Sequence, residues 1–436
     1  MKKVKYFSFA ITLFVVLLTF GSMVFAEDVT LNVLSNGHNN VLIFIEHMVP
    51  KFEKETGIKV KFDLASEKMK AMLDVKTGKG FYDIISCDSA DLPEFVRGKI
   101  LLCLDEYLER DKEEVRWDDV MLTGKGLVTE DGKVYGIPNL IQIWMMMVRK
   151  DRLDEAGLPG PPKTWDELYE YASKLTNPEK EQYGFVTQPG RAYNSVVHSF
   201  WAFMVGFGGY RATFKDVPND YTPTMDGPIP LETLKFLGKL LEVGPPGMKT
   251  YEWADAISSY SKGNSAMYPI YSDAWSIFED PKQSSVVGKS IMVPQPHYPG
   301  RPESEILPYA TLGYGISPLS KNKEAAWRFL KWMISPETVN EWIGYGGIPL
   351  RLSNLKDPKV QEKYPWAKYV LERELKGQVD VEYRTRIPAW AMIEQIFGEE
   401  LSLYFTGSKS AEKALSDGNE RLKEYMIKEG YPVSGK

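Results

Sequence analysis

The chain has 436 residues and a formal net charge of −6, with 59 acidic and 53 basic side chains. This length exceeds what one hydrophobic core usually serves, so we expect two domains. The acidic balance disfavours nucleic acid and anionic membranes as partners, and the ordinary usage of Gly and Pro excludes a low-complexity chain.

The first 26 residues have the three-part pattern of a secretory signal peptide. Three lysines within the first five positions precede an apolar run, and Val24 and Ala26 stand at positions that suit signal peptidase. An uncleaved membrane anchor is the alternative, because the apolar run with its flanks is nearly long enough to span a bilayer. Glu27, not a cysteine, follows the proposed cut, so we expect a free periplasmic protein without a lipid anchor.

The two cysteines and four histidines form no metal-binding pattern. Cys87 ends a predicted strand and Cys103 follows a helix that should carry the chain away from it, so we predict two buried thiols and no disulfide. The histidines at positions 38, 47, 198 and 297 match no ligand spacing, and no phosphate-binding loop or nucleophile elbow occurs. The sequence therefore predicts neither a metal nor a cofactor.

Strands and helices alternate in the first part of the chain after the proposed signal peptide. The pattern predicts strands at 31–35, 59–64 and 82–87, with helices at 41–56 and 67–76 between them. This order is typical of a mainly parallel sheet with helices on both faces. In such sheets a ligand binds outside the carboxyl ends of the strands.

Polar side chains follow each of these three predicted strands. We predict that they contact a solute, because strand ends carry function in such sheets. The alternatives are a solvated turn for those before position 40 and helix capping for the others. The candidates are Asn36, His38, Asn39, Glu67, Asp88 and Ser89.

A strongly capped helix is predicted in the middle of the chain. Thr164 can accept from the first free N–H groups of this helix, and Glu167, three residues on, completes a capping box. Leu168, Ala172 and Leu175 continue one apolar face of the same helix.

The rest of the chain continues the mixed pattern. Arg191 follows a predicted strand and is a further candidate for solute contact, whereas Met145, Met146 and Met147 fit core packing better than a site. From position 351 the chain is predicted to be mostly helical. The other predicted elements are strands at 183–187 and 309–316, an apolar strand beginning at 265, and helices at 196–206, 231–241 and 323–333.

Five segments occur in the order found in one known family. They are KFEKETGIKVKFD at 51–63, DIISCDSADLPEF at 83–95, YGIP at 135–138, KGNSAMYPIYSDAW at 262–275 and SPLSKNKEAAWRFLKWMISPE at 317–337. In these segments the chain resembles the family 1 extracellular solute-binding proteins, the maltose-binding-protein-like components of bacterial ABC importers. The resemblance covers nearly all of the proposed mature chain.

The resemblance implies an α/β fold of two lobes joined by a hinge, a type II-like periplasmic binding protein fold. Each lobe would be a mainly parallel sheet flanked by helices, with YGIP leading into a strand that crosses between the lobes and the strand at 309–316 returning. The expected domains are a signal peptide at 1–26, an N-terminal lobe at 27–137 plus 311–350, and a C-terminal lobe at 138–310 plus 351–436.

The resemblance also implies solute-binding residues beyond the crossing. A carboxylate such as Asp273 beside aromatic rings suits a pyranose, because sugar hydroxyls pair with polar groups while sugar C–H faces pack on rings. The alternatives are core packing for the aromatic residues, close packing for Gly313 and a structural role for Arg351. The implied residues are Gln142, Trp144, Tyr271, Asp273, Trp275, Gly313, Tyr314, Arg351 and Trp390.

The function that the resemblance implies is capture of a carbohydrate, a disaccharide or an oligosaccharide, and its delivery to the permease subunits of an ABC transporter in the inner membrane. We expect a monomer with no nucleic acid partner and no catalytic activity. A secreted glycoside hydrolase is the alternative of another class, because two carboxylates at a set separation suffice for that chemistry. A third interpretation keeps the fold and exchanges the solute for a polyamine or a glycerophosphate.

Overall fold

The computed structural model describes residues 29–65, 67–191 and 195–435, apart from the side chain of Glu67. The proposed signal peptide lies outside the described residues. Within them, the strands are β1 Thr30–Leu34, β2 Lys59–Asp63, β3 Ile84–Asp88, β4 Thr129–Glu130, β5 Lys133–Val134, β6 Ile137–Arg149, β7 Tyr183–Phe185, β8 Phe214–Asp216, β9 Asp220–Pro223, β10 Ser265–Tyr271, β11 Ser290–Val293, β12 Leu307–Ile316 and β13 Val379–Asp380.

Helices cover most of the remaining chain. Those of the described residues are α1 Asn39–His47, α2 Val49–Thr56, α3 Glu67–Lys76, α4 Leu92–Arg97, α5 Asp105–Arg110, α6 Lys112–Val115, α7 Leu122–Leu127, α8 Lys150–Glu155, α9 Trp165–Leu175, α10 Ser195–Gly206, α11 Pro228–Leu240, α12 Trp253–Ser261, α13 Trp275–Phe278, α14 Lys323–Ile334, α15 Pro336–Tyr345, α16 Leu352–Lys356, α17 Pro358–Lys363, α18 Ala367–Lys376, α19 Trp390–Phe405 and α20 Ala411–Lys428.

Nine strands of the described chain form one continuous sheet. Its order is β2-β1-β3-β12-β6-β10-β7, with β11 paired to β6 and β13 paired to β12. The strands β1, β2 and β3 are parallel, as predicted, and β7 is parallel to β10. The strand β12 is antiparallel to both β3 and β6. The sheet is thus mixed, because β12 is antiparallel to β3 and β6, and β6 in turn is antiparallel to β10 and β11.

The strand β6 connects the two ends of this sheet. Its first half, up to Ile143, pairs with β12, and its second half, from Trp144, pairs with β10 and β11. All 13 residues of β6 are buried, including Met145, Met146 and Met147, so the predicted core role of the methionines is confirmed. A strand covered on both faces requires such a continuous apolar run.

Most predicted elements are present, with one clear difference. The helix predicted at 41–56 is divided into α1 and α2, which meet at Met48. Pro50 lies in the first turn of α2, where its missing N–H costs nothing, but it cannot continue a helix that began earlier. The capping box of α9 is confirmed: Thr164 Oγ1 accepts from Glu167 N at 3.2 Å, and Glu167 Oε2 accepts from Thr164 N at 3.3 Å.

From the sequence, the segment after position 350 is expected to belong to the C-terminal lobe. In the structure this segment also contacts residues of the N-terminal part of the chain. Arg351 donates to the carbonyl oxygens of Val115 and Arg116, before α7. The buried Glu374 of α18 accepts from the backbone N–H groups of Leu122 and Thr123 in α7. Residues 351–376 therefore contact a segment that the sequence assigned to the N-terminal lobe.

The two thiols and the helices bear on other predictions. Among the described residues neither Cys87 nor Cys103 forms a disulfide; Cys87 is buried as predicted, whereas Cys103 is only half-buried. Across 29–65, 67–191 and 195–435, no helix combines the length and the apolar character needed to cross a membrane.

Candidate functional site

A cavity of about 410 Å³ lies over β6 and β12, the two strands that join the ends of the sheet. Gln142 of β6 and Ala310 and Leu312 of β12 line it from the sheet, and loops and helices from both ends of the sheet form its walls. The full lining is His38, Asn39, Asp88, Gln142, His198, Trp253, Ile257, Ile270, Tyr271, Asp273, Ala274, Ile277, Ala310, Leu312 and Arg384.

An ion pair between Asp88 and Arg384 lies at this cavity. Asp88, the last residue of β3, accepts from Arg384 Nη2 at 2.8 Å and from Nη1 at 3.3 Å, and also from Ala90 N at 2.8 Å. Burial by itself would raise the pKa of Asp88, but the Arg384 guanidinium and the backbone N–H outweigh it and hold this pKa below its usual value. Asp88 is therefore an ionised carboxylate.

Aromatic rings form a second wall. Trp253 and Tyr271 are stacked, with ring centroids 5.9 Å apart and planes 20° from parallel. Trp144, which is fully buried, meets Tyr271 edge to face at 5.1 Å. The Tyr271 hydroxyl is hydrogen-bonded to the Tyr383 hydroxyl, so its orientation is fixed. Stacked rings supported from behind present a rigid apolar face to the cavity.

Polar contacts join the loop before α1 to the turn after β10 at the rim of the cavity. Asn39 Nδ2 donates to Ser276 Oγ at 3.0 Å, and Asn40 Nδ2 donates to the carbonyl oxygen of Asp273 at 3.2 Å. His38 Nδ1 lies 3.7 Å from Asp273 Oδ2. These contacts connect segments more than 230 residues apart in the sequence and bring the two ends of the sheet together.

A second cavity, of about 310 Å³, adjoins the first because Asp88 lines both. It contains Lys68, which pairs with Asp91 and Glu94, and burial raises the pKa of Asp91 to about 6 despite that pairing. Its lining is Asn36, Gly37, Leu64, Ala65, Lys68, Ser86, Cys87, Asp88, Asp91 and Phe95.

A larger groove, of about 910 Å³, lies elsewhere, between α2, α6 and α14. Its rim alternates basic and acidic side chains, among them Arg110, Glu114, Arg328 and Glu337, and it contains none of the residues that the sequence indicates. The 410 Å³ cavity is the better candidate site, because it lies at the carboxyl ends of β1 and β3 and combines polar groups with an aromatic wall.

The structure brings six predicted residues together around this cavity, and several others close behind it. Asn36 lines the adjoining cavity, and Ser89 Oγ accepts from Arg384 Nη2 at 3.3 Å. Tyr314 is buried with its hydroxyl 2.5 Å from Ser35 Oγ. The side chain of Glu67 is not among those described. The six are His38, Asn39, Asp88, Gln142, Tyr271 and Asp273.

Arg351 is not brought to the cavity. It is fully buried, and its guanidinium donates to the carbonyl oxygens of Ile334, Val115 and Arg116 and lies 3.4 Å from Asp119 Oδ2. With its donors used in this way, Arg351 ties the start of α16 to the end of α14 and the segment after α6. The structural alternative given for this residue therefore describes its surroundings better than solute contact.

Four further predicted residues lie outside the cavity lining. Arg191 is exposed to solvent, and its guanidinium pairs with Glu399. A Cβ at Gly313 would come within 2.7 Å of Val128, so close packing explains this glycine. Trp275 is buried in α13. Trp390 is buried edge to face against Trp201.

Sequence reasoning missed three lining residues that carry polar or aromatic groups. Trp253 opens α12, whose capping pair of Glu252 and Asp255 is visible in the sequence and could have placed a tryptophan at a helix start. His198 lies within a predicted helix, and Arg384 lies in an irregular segment between β13 and α19. No local pattern indicates either of them, because only the tertiary fold brings these segments to the cavity.

No metal site stands out among the residues that the structure describes, where no three His, Cys, Asp or Glu side chains are arranged to hold an ion. The polar groups of the cavity instead form hydrogen bonds and one ion pair. Such an arrangement binds an uncharged polar molecule by pairing with its hydroxyl groups, while the aromatic wall packs on its C–H surface.

The chain is similar to known proteins over most of its length. A family model described as bacterial extracellular solute-binding protein matches residues 39–340. A relative from Sinorhizobium fredii, described as a "probable amino-acid ABC transporter periplasmic-binding protein", is 27% identical over 404 residues, which are 87% of this chain and 85% of the relative.

Two solved structures are similar at 26% identity. An ABC transporter solute-binding protein from Agrobacterium radiobacter K84, in complex with ribitol, gives a TM-score of 0.83 and a match over 92% of this chain and 99% of its own. A second, from Agrobacterium vitis S4 with bound D-mannitol, gives a TM-score of 0.80 and a match over 93% of this chain and 99% of its own.

Proposed function

Because the chain belongs to the bacterial extracellular solute-binding protein family, we propose that it captures a polyol or short saccharide in the 410 Å³ cavity and delivers it to the permease of an ABC transporter. The fold is the two-lobed α/β fold of periplasmic binding proteins, which the ribitol-bound and mannitol-bound structures share. The solutes of these two relatives, ribitol and D-mannitol, are uncharged and rich in hydroxyl groups. Such solutes match the polar groups and the aromatic wall of this cavity.

The observation that carries this proposal is the opposition of polar and aromatic walls in one cavity. Asp88, Gln142 and Asp273 offer oxygen acceptors, while Trp253 and Tyr271 offer a stacked apolar face. Sugars and polyols present both kinds of surface, hydroxyl groups and C–H groups. A free amino acid fits less well, because the guanidinium of Arg384 is paired with Asp88 and is therefore not available for the carboxylate group of an amino acid.

The size of the cavity bears on the length of the solute. Ligand cavities commonly measure about 300–1,000 Å³, so a cavity of about 410 Å³ favours a polyol or a short saccharide over a long oligosaccharide. A disaccharide would extend past Asp88 into the adjoining cavity of about 310 Å³, where Asn36 and Lys68 would meet its second unit. We therefore propose a solute no longer than the disaccharide that is the shortest solute implied by the sequence.

We keep the lobes predicted from the sequence as a proposal: 27–137 plus 311–350, and 138–310 plus 351–436. The change of pairing partner along β6, between Ile143 and Trp144, supports a boundary close to the first crossing. The assignment of 351–376 to the C-terminal lobe is less clear-cut, because this stretch also contacts α7 and the segment before it, which belong to the proposed N-terminal lobe. Closure of the lobes around a solute would favour the bound form by differential affinity.

Export, association and partners follow from the same proposal. We propose cleavage after Ala26, release into the periplasm without a lipid anchor, and action as a monomer. Removing the first 26 residues, which carry three lysines and no acidic residue, makes the negative net charge larger, so nucleic acid is not a proposed partner. The remaining partners are the solute and the permease.

We also propose that the bound solute is not chemically changed. A glycoside hydrolase needs one carboxyl group with a raised pKa as its general acid. Asp88 is an unsuitable acid, because its ion pair with Arg384 lowers its pKa. Asp91 has a pKa raised to about 6, but it lines the adjoining cavity and not the 410 Å³ cavity, and it pairs there with Lys68. The cavity is therefore suited to binding and release.

A thermal-shift screen of residues 27–436 tests the proposal. The probes are ribitol, D-mannitol, maltose, spermidine, glycerol 3-phosphate and a mixture of L-amino acids. A solute that binds only the folded state at a hundred times its Kd adds about 2.7 kcal/mol to the free energy of unfolding and must raise the Tm. We expect a rise with a polyol or saccharide and recovery of the intact solute. A rise with a charged probe alone contradicts the proposed solute, and cleavage of maltose contradicts the absence of catalysis.

Site variants connect the screen to the cavity. We expect Arg384→Met to abolish the rise, because it leaves the Asp88 carboxylate without its partner in a water-poor site. Arg191→Met is the matched control, since its guanidinium pairs with Glu399 in solvent. Equal shifts for the two variants would place the solute elsewhere.

A further inference from the structure

His198 lines the cavity and is held from behind by a buried carboxylate. Its Nε2 lies 3.0 Å from Glu394 Oε1, and the same oxygen accepts from Trp390 Nε1 at 2.7 Å. The side chains of His198 and Glu394 are 19% and 15% exposed. The imidazole also meets Trp253 edge to face, with centroids 6.5 Å apart. The ring is thus fixed on two sides by residues from α12 and α19.

The carboxylate decides which ring nitrogen carries the proton. Burial by itself would raise the pKa of Glu394, but the hydrogen bonds from His198 and Trp390, with the Arg384 guanidinium nearby, keep this pKa below its usual value. An ionised carboxylate can only accept, so the proton between the two groups belongs to Nε2. In a neutral imidazole Nδ1 is then an acceptor, and it is the polar atom of the ring that Glu394 does not use.

A solute with hydroxyl groups needs hydrogen-bond acceptors in the cavity. Each solute hydroxyl has a proton to donate, and a buried hydroxyl without an acceptor is costly. Arg384 and a backbone N–H already take up part of the acceptor capacity of the Asp88 carboxylate. A neutral ring nitrogen accepts from a hydroxyl without adding a second buried charge beside that pair.

We propose that His198 Nδ1 accepts a hydrogen bond from a hydroxyl of the bound solute, and that Glu394 is a positioning residue that fixes the tautomer and orientation of the ring. This inference rests on the proposed function, since it assumes a solute with hydroxyl groups. It assigns roles to two residues that sequence reasoning did not select.

The tautomer is tested without any solute. Protein labelled with ¹⁵N in its histidines is measured by NMR at pH 8, and His198→Gln identifies the resonances that belong to His198. We expect a proton on Nε2 and none on Nδ1 in the wild type. We expect Glu394→Gln to mix the tautomers, because a rotated amide can donate as well as accept. A proton on Nδ1 in the wild type overturns the proposal.

The contact is tested by calorimetric titration with ribitol, D-mannitol and maltose. A glutamine side chain extends its amide nitrogen toward the position of Nε2, whereas the oxygen of an asparagine can reach that of Nδ1. We therefore expect His198→Gln to weaken binding by about 3- to 10-fold, in keeping with one lost hydrogen bond, and His198→Asn to weaken it less. His47→Gln is the control, because His47 is stacked on Tyr345 and lies outside the cavity.

The outcomes separate this inference from the proposed function. If the wild type binds none of the three probes, the proposed solute class is overturned and the inference with it. If the wild type binds and His198→Gln binds equally well, only the inference is overturned. A loss of binding with an unchanged urea midpoint supports it, because a merely structural role would lower that midpoint.

Discussion

Asp380 is a buried carboxyl group to which no oppositely charged side chain of the described residues is bonded. Its Oδ1 accepts from Glu382 N at 2.7 Å, and Oδ2 has no hydrogen-bond partner among the described residues. Burial raises the pKa of Asp380 to about 8. The residue therefore holds a proton at neutral pH, in contrast to the paired Asp88, and the difference lies in the guanidinium that Asp88 has and Asp380 lacks.

This raised pKa predicts a pH dependence of stability. In the unfolded chain Asp380 ionises near pH 4, so between about pH 4 and pH 8 only the folded state holds its proton. The contribution of Asp380 to the free energy of unfolding is complete below pH 4 and is lost as the pH rises to 8. Asp380→Asn keeps the acceptor for Glu382 N and removes this loss. We expect the variant to be more stable than the wild type at pH 8 by at least about 1.4 kcal/mol, one pKa unit.

Urea unfolding at pH 5 and pH 8 measures the effect. The difference between variant and wild type should grow with pH, because contributions of all other groups cancel in it. Asp216→Asn, at an exposed position, serves as the control. A difference that is independent of pH would mean that Asp380 ionises normally in the folded protein.

Arg351 leads to a prediction of the opposite kind, a strong effect on stability with none on binding. Its guanidinium satisfies the buried carbonyl oxygens of Ile334, Val115 and Arg116. Arg351→Met would leave these acceptors without donors, and each such group costs about 1–3 kcal/mol. We expect a loss of about 3 kcal/mol or more in urea unfolding, with an unchanged Kd for the solute. Arg328→Met, at an exposed position of α14, is the control. Weaker solute binding by Arg351→Met would indicate that Arg351 contributes to the binding site.

At the scale of single elements, the cap of α9 makes a small contribution to the free energy of unfolding that can be measured separately from solute binding. Thr164 accepts from Glu167 N, and Glu167 in turn accepts from the N–H groups of Thr164 and Lys163. We expect Thr164→Ala to lower the free energy of unfolding by about 1 kcal/mol, as for other N-caps. Solute affinity should not change, since α9 does not line the cavity. Thr164→Ser, which keeps the hydroxyl, should restore stability; a full loss in both variants would exclude the cap as the cause.

The elements also explain how much the sequence could predict. Helix and strand positions follow from local patterns, so α9, α10 and α14 lie close to their predicted places. The division of α1 from α2 was missed although Pro50 marks it, because the apolar pattern continues through the proline. Bounds were predictable wherever capping or periodicity is encoded within a few residues.

The candidate site was predictable only in part, for the same reason. Asn39 and Asp88 follow parallel strands, and the rule that strand ends carry ligands needs only local information. Arg384 and His198 reach the cavity from segments far away in the sequence, which no local pattern can reveal. Nor can a sequence distinguish a buried guanidinium that satisfies carbonyl groups, as in Arg351, from one that faces a solute.

At the scale of the whole molecule, the rim contacts favour the closed arrangement of the two ends of the sheet. Asn39 donates to Ser276 Oγ across the cavity opening. We expect Asn39→Ala to shift the solute-free protein toward a more open form, because a lost hydrogen bond of about 1 kcal/mol changes a two-state population several-fold. Small-angle X-ray scattering should then give a larger radius of gyration, and a bound solute should reduce it again.

The control for this experiment is Ser173→Ala, which removes an exposed hydroxyl that is bonded only within its own helix. Ser276→Ala removes the other partner of the rim contact and should act like Asn39→Ala. An unchanged radius in both rim variants would show that this hydrogen bond does not hold the ends together.

The position of β12 between β3 and β6 also determines when the central sheet can be completed during synthesis of the chain. The partner of β3 along this edge is encoded more than 200 residues later, so at about 5–20 residues per second the ribosome needs at least about 10 s to supply it. Until then β3 has an open edge and the sheet cannot be completed. For a protein that we propose to be exported, the central sheet would therefore still be incomplete while most of the precursor is being synthesised.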